Sequence, residues 1–251
     1  MVRPRTLVEV AVYTAVTFVA TVLLVVETPA TGGYFNLGEA AIYSIAFVSS
    51  SPLVAGLASG LGPAVADVVL GYGYFAPATL VIKFVEGYVV SRLARGGYGR
   101  RLGAAAFALA LGLAAVVAAF LGGRGGSASV SVYWTPTRIL GVEIPVPTVS
   151  LQLPSYAWYA VAALVLLLGA AAVLEGGRRL LPMILGGLIM VTGYFLYEFF
   201  VSNPLILGRD PWGAVFEVPV NVGQAAAGML LAYPVVRFVA RAKPGVPQSR
   251  G

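Results

Sequence analysis

Glu39, Asp67, Lys83 and Glu86 sit inside stretches that are otherwise apolar, as do Tyr194, Glu198, Glu217, Asn221 and Gln224 further along the chain. A charged side chain at the middle of a membrane helix costs roughly 2.5–3.5 kcal/mol on insertion scales, so by default it faces a cavity or protein interior and marks a functional site. Helical spacing gathers these groups onto faces. Lys83 and Glu86 stand at i and i+3, Tyr194 and Glu198 at i and i+4, and Glu217, Asn221 and Gln224 at i, i+4 and i+7. Glu39, Asp67, Glu86, Glu198 and Glu217 face a single base, Lys83. That balance favours a ligand with a cationic or amine-bearing ring, held by hydrogen bonds and by stacking on Tyr72 and Tyr74. A competing reading makes Lys83 an internal strut paired with Glu86, Asp67 or Glu198. Glu39 and Glu217 then become carboxylates at helix N-termini, where the helix dipole favours them.

Covalent chemistry finds few candidates. The chain has no Cys and no His, which removes thiol nucleophiles, disulfides, His general bases and His-ligated zinc. The Gly-rich stretch from Gly122 lacks the spacing of a phosphate loop. Neither a metal nor a cofactor is expected.

The elements that must position these residues are membrane spans. Of 251 residues, 59% are hydrophobic and 10% charged, against roughly 25% charged in a soluble domain. Apolar segments fall at 7–26, 38–50, 52–70, 77–94, 102–121, 157–174, 183–201 and 217–240. The second is shorter than the ~20 residues a bilayer needs and must be shielded by its neighbours. The first, with its basic start, exceeds a signal-peptide core and reads as a retained span. Arg3, Arg5, Arg92, Arg95, Arg100, Arg101, Arg178, Arg179, Arg237, Arg241, Lys243 and Arg250 all fall on one side of an eight-span arrangement. The positive-inside rule makes that side, and both termini, cytoplasmic. The net charge of +6 is therefore a topology signal and not a nucleic-acid patch. With this topology every ionisable group named above lies in the outer half of its span, which predicts a pocket open to the exterior. The 122–156 stretch reads as an exposed outer connector able to form a short hairpin. Trp134, Tyr156, Trp158 and Trp212 read as interfacial residues. Ala11 and Ala15, with Thr14 nearby, give the first span a small-residue face that lets another helix approach.

Four motifs then carry a resemblance: Asn36-Leu37-Gly38-Glu39; Gly62 to Asp67 as GxxxAD; Ala76 to Gly87 as APxTLxIKxxEG; and Glu217 to Gln224 as ExPxNxxQ. Together they make the chain resemble the membrane-embedded substrate-binding (S) components of energy-coupling factor (ECF) vitamin transporters. The likeness covers roughly 1–95 and 183–241 and looks closest to the hydroxymethylpyrimidine or thiamine-precursor branch. The resemblance implies a six-helix bundle that captures a vitamin-like ligand from outside. It also implies partners: an ECF transmembrane coupling protein and two ATPase subunits, with docking through Ala11 and Ala15. The loop from Glu27 to Asn36 would cap a pocket containing Asn36, Glu39, Asp67, Tyr72, Tyr74, Lys83, Glu86, Tyr194, Glu198, Glu217, Asn221 and Gln224. Riboflavin-like or anionic ligands are less favoured by the charge balance.

The expectation is an all-α membrane protein, a single integral membrane domain in the plasma membrane. Its core bundle spans 1–95 and 183–241, an insert of two further spans and an outer loop covers 96–182, and 242–251 form a polar tail. It binds a vitamin or vitamin precursor for an ATP-driven importer and is not an enzyme. The alternatives are an ion-coupled secondary transporter, which should show inverted repeats or broken helices, and an intramembrane carboxylate enzyme.

Overall fold

The computed structural model describes residues 4–28, 33–96, 128–133, 138–139, 142–143, 149–153, 157–174 and 179–242. The segment 102–121, Trp134, Tyr156, Arg3, Arg100, Arg101, Arg178 and the tail from Lys243 lie outside the described residues. The chain is mainly helical: α1 (Pro4–Leu23), α2 (Gly38–Val48), α3 (Pro52–Val69), α4 (Ala76–Ala94), α5 (Ala157–Leu174), α6 (Leu180–Tyr197) and α7 (Ala214–Ala242). A π-helical stretch, Glu198–Ile206, continues α6, and a short 3-10 turn, Pro211–Gly213, leads into α7. Pro4–Leu23, Pro52–Val69, Leu180–Ile206 and Pro211–Val239 are long and apolar enough to cross a membrane. Leu61, Val65, Val68, Val81 and Val85 project from α3 and α4 with open exposure. A contiguous apolar exterior of that kind suits lipid and not water. This is a multi-pass membrane protein.

Local chemistry sets the helix boundaries. Ser51 caps α3 by accepting from the Val54 amide at 3.3 Å, with Pro52 in the first turn, where its missing N–H costs nothing. Asn36 turns the chain into α2, its Oδ1 accepting from the Gly38 amide at 2.7 Å. Small residues then set the packing. A Cβ on Gly62 would meet Thr17 Oγ1 and the Thr14 carbonyl, and one on Gly60 would lie 2.6 Å from the Leu80 carbonyl. So α3 presses backbone-close against α1 on one side and α4 on the other. Thr17 reinforces the first contact by donating to the Ala58 carbonyl at 2.8 Å. The apolar core joins α2, α6 and α7 through Ile42, Tyr43, Met183, Met190, Val222 and Ala226.

The strands form a feature that hydropathy alone does not announce. β1 (Val25–Thr28) and β2 (Gly33–Asn36) pair antiparallel after α1. β3 (Ala128–Tyr133) and β6 (Val149–Leu153) join them in a sheet of order β2-β1-β3-β6, while β4 (Arg138–Ile139) and β5 (Val142–Glu143) make a separate pair. The 122–156 stretch is thus no plain connector: its described strands extend the sheet begun after α1.

Candidate ligand-binding site

Six helix ends converge on one cavity. Thr21 comes from the last turns of α1, Gly38, Glu39 and Ile42 from the start of α2, and Pro63 and Asp67 from the later part of α3. Phe75, Thr79 and Lys83 come from the entry to α4, Tyr194 and Glu198 from the end of α6, and Glu217, Asn221 and Gln224 from the start of α7. Gly33, Tyr34 and Asn36 of β2 close the wall. Helices alternate in direction, so C-terminal ends of α1, α3 and α6 meet N-terminal ends of α2, α4 and α7 at the same end of the bundle. The empty space, including the part open to solvent, is about 490 Å³.

The site is polar and fully committed at one side. Lys83 Nζ is ion-paired to Glu39 Oε1 and lies 3.1 Å from Glu86 Oε2. Glu39 Oε1 also accepts from Gln224 Nε2 at 3.1 Å, and Gln224 Oε1 accepts from the Asn36 amide at 2.9 Å. Lys83 further sits 5.5 Å from the centre of the Tyr194 ring, whose hydroxyl donates to Thr79 Oγ1 at 3.0 Å. Both readings of Lys83 therefore hold geometrically: it is a buried strut, and the strut forms part of the cavity wall. Across the cavity Tyr34 donates to Asp67 Oδ1 at 2.5 Å. Burial first, and then the Asp67 charge, raise the Tyr34 pKa well above the usual phenol range, so it remains a donor at neutral pH.

Buried acceptors remain. Asp67 Oδ2, Glu39 Oε2 and Glu198 Oε2 have no hydrogen-bond partner among the described residues, and their side chains are 3%, 1% and 2% exposed. Orphaned buried carboxylate oxygens each cost on the order of 1–3 kcal/mol, so they call for donors supplied from elsewhere. A molecule presenting N–H or O–H groups would satisfy them. No group of three or more acidic residues arranged for a metal occurs among the described residues.

The structure brings Asn36, Glu39, Asp67, Lys83, Tyr194, Glu198, Glu217, Asn221 and Gln224 together on the wall. Three of the sequence-read residues stand apart from it. Glu86 is buried behind Lys83, Tyr72 packs its ring 4.9 Å from Tyr34, and Tyr74 stacks beside Phe75 while its carbonyl accepts from the Tyr197 hydroxyl. Tyr34, Thr21, Thr79 and Phe75 line the cavity without having been singled out from the sequence. Thr79 lies inside the APxTLxIK motif, and Tyr34 two residues before Asn36, so proximity to the motifs was the available signal. The π-helical turn carries Glu198 at its start; such segments recur at functional sites.

Comparison with known proteins adds to this geometry. The family model described as ECF-type riboflavin transporter, S component, matches residues 1–125. That stretch contains α1 to α4, β1 and β2. A protein of Pyrococcus woesei described as "Uncharacterized protein in gap 3'region" is 45% identical over 86 residues, 34% of this chain. The chain spans 57% of that relative's length. The matching family model is named for riboflavin, and neither comparison supports the hydroxymethylpyrimidine or thiamine-precursor branch in particular.

Proposed function

We propose that the protein is the substrate-binding S component of an ECF-type vitamin importer. The observation that carries this reading is the cavity: converging helix ends, a β2 wall, and buried carboxylate oxygens awaiting donors, with its α1–α4 and β2 side inside the stretch that matches the S-component family. In this reading eight spans cross the plasma membrane with both termini cytoplasmic, six of them forming the core bundle and two belonging to the 96–182 insert. The cavity then opens outward, and an ECF coupling protein with two ATPases supplies the transport cycle. The protein itself performs no covalent chemistry. Ala11 and Ala15, both exposed on α1 away from the buried Thr17 and Thr21, form the docking face.

The ligand is a small ring compound rich in hydrogen-bond donors. With Lys83 engaged by Glu39 and Glu86, the remaining wall carboxylates Asp67, Glu198 and Glu217 favour an amine-bearing or cationic ring such as thiamine or hydroxymethylpyrimidine. Riboflavin, the vitamin in the matching family's name, would instead meet them with imide and hydroxyl donors. Two measurements decide. Uptake of labelled riboflavin, thiamine and hydroxymethylpyrimidine is compared with and without an ECF coupling module; module-independent uptake driven by an ion gradient would sink the importer reading. Glu198→Gln should weaken a cationic ligand by about tenfold or more and riboflavin by less, since charge-assisted hydrogen bonds contribute roughly 1.5–3 kcal/mol.

A further inference from the structure

The strand order ties the segment between α4 and α5 to the wall of the site. β2 places Gly33, Tyr34 and Asn36 at the cavity, and β1 is its partner along the whole ladder from Val25↔Asn36 to Thr28↔Gly33. The other edge of β1 is taken by β3, through Val25↔Tyr133, Val26↔Val132 and Glu27↔Ser131. β3 is in turn flanked by β6, from Ala128↔Leu153 to Val132↔Val149. A two-stranded ladder alone is marginal in water; three or more strands are needed for lasting order. Without β3, β1 would be an edge with unsatisfied backbone groups.

We infer that β3 and β6 are positioning elements of the binding site: they hold the β1–β2 ladder in place and so set how fast the cavity exchanges its ligand. The inference rests on reading the cavity as a ligand site. Besides the Asn36 Oδ1 bond to the Gly38 amide at the start of α2, β2 is fastened to the helices by Tyr34 to Asp67 and by the Asn36 amide to Gln224. Motion of β2 away from the helix ends breaks both bonds, and β1 must then follow or separate. Pairing with β3 resists either movement, because the ladder carries the weight of four strands instead of two. The insert thereby acts on the site through main-chain hydrogen bonds, from more than a hundred positions away in sequence.

The test has a readout that needs no ligand. Successive amides of a strand point to opposite neighbours, so of Ser131→Pro and Val132→Pro, made singly, one removes a donor facing β1 and the other a donor facing β6. In the full-length protein, the variant that breaks β1–β3 pairing should speed amide exchange over 33–36 by about tenfold or more, with α3 and α4 unchanged. Dissociation of whichever of riboflavin, thiamine or hydroxymethylpyrimidine the wild type binds should quicken by a similar factor. Val142→Pro, in the separate β4–β5 pair, should change neither. Should the proline variants fail to fold, Val26→Cys with Val132→Cys places two thiols at opposed positions in a chain without cysteines. Crosslinking them should slow exchange over 33–36 and slow ligand release, reversibly. Amide exchange over 33–36 that is identical in wild-type, proline and crosslinked proteins overturns the inference. A wild type that binds none of the three vitamins overturns the binding reading instead, while amide exchange still decides whether β3 orders β2.

Discussion

Tyr34 donates to Asp67 across 2.5 Å, fastening strand β2 to helix α3 beside the cavity. Tyr34→Phe removes a donor from Asp67 in a buried position, leaving the Thr79 hydroxyl as its remaining side-chain partner. The expected cost is about 1–3 kcal/mol of stability. Ligand release should quicken at the same time, since β2 loses one of its fastenings to the helices. Thermal unfolding in detergent and a dissociation time course check the two effects separately.

Lys83 stands between Glu39 and Glu86, all three almost wholly buried. Removing one member of such a group strands the others, at a cost of roughly 3–5 kcal/mol. Lys83→Met should therefore lower thermal stability sharply. Adding Glu39→Gln and Glu86→Gln to it should recover most of the loss without restoring ligand binding. A single variant as stable as the wild type would show that the trio is not a strut.

Two glycines of α7 make opposite forecasts. A Cβ on Gly228 would overlap Glu39 Cβ and lie 3.1 Å from its carbonyl carbon, whereas one on Gly223 meets nothing within 4 Å. Gly228→Ala should destabilise by about 1–3 kcal/mol and push Glu39 off Lys83. Gly223→Ala should be neutral or stabilising by up to about 1 kcal/mol, because alanine favours the helix. Equal melting shifts in the two variants would contradict the close approach of α7 to α2.

Ala11 and Ala15 test the proposed docking face. Replacing both with Leu should leave vitamin binding by the isolated protein unchanged and abolish uptake with the ECF module. Large side chains there prevent another helix from approaching closely. Copurification with the coupling protein, wild type against variant, gives a second measurement.

Composition and spacing alone determined that the chain lives in a membrane and where its described helices run. Apolar segments of bilayer length and their breaks are local properties, and the described helices follow them closely, including the short α2. The polar residues of the motifs were legible for the same reason: a charge in an apolar run is costly wherever it sits, so Glu39, Asp67, Lys83, Glu198 and Glu217 stood out. Tyr34, Thr21 and Thr79 did not, because a hydroxyl costs little in such a segment and carries no periodic signal. Helical spacing likewise put Glu86 beside Lys83, but only the packing of α2 and α6 against α4 decided that Lys83 meets the cavity and Glu86 lies behind it. The sheet was least legible. Pairing Val25–Glu27 with Ser131–Tyr133 closes a loop of about a hundred residues, and no local pattern at either strand encodes its distant partner.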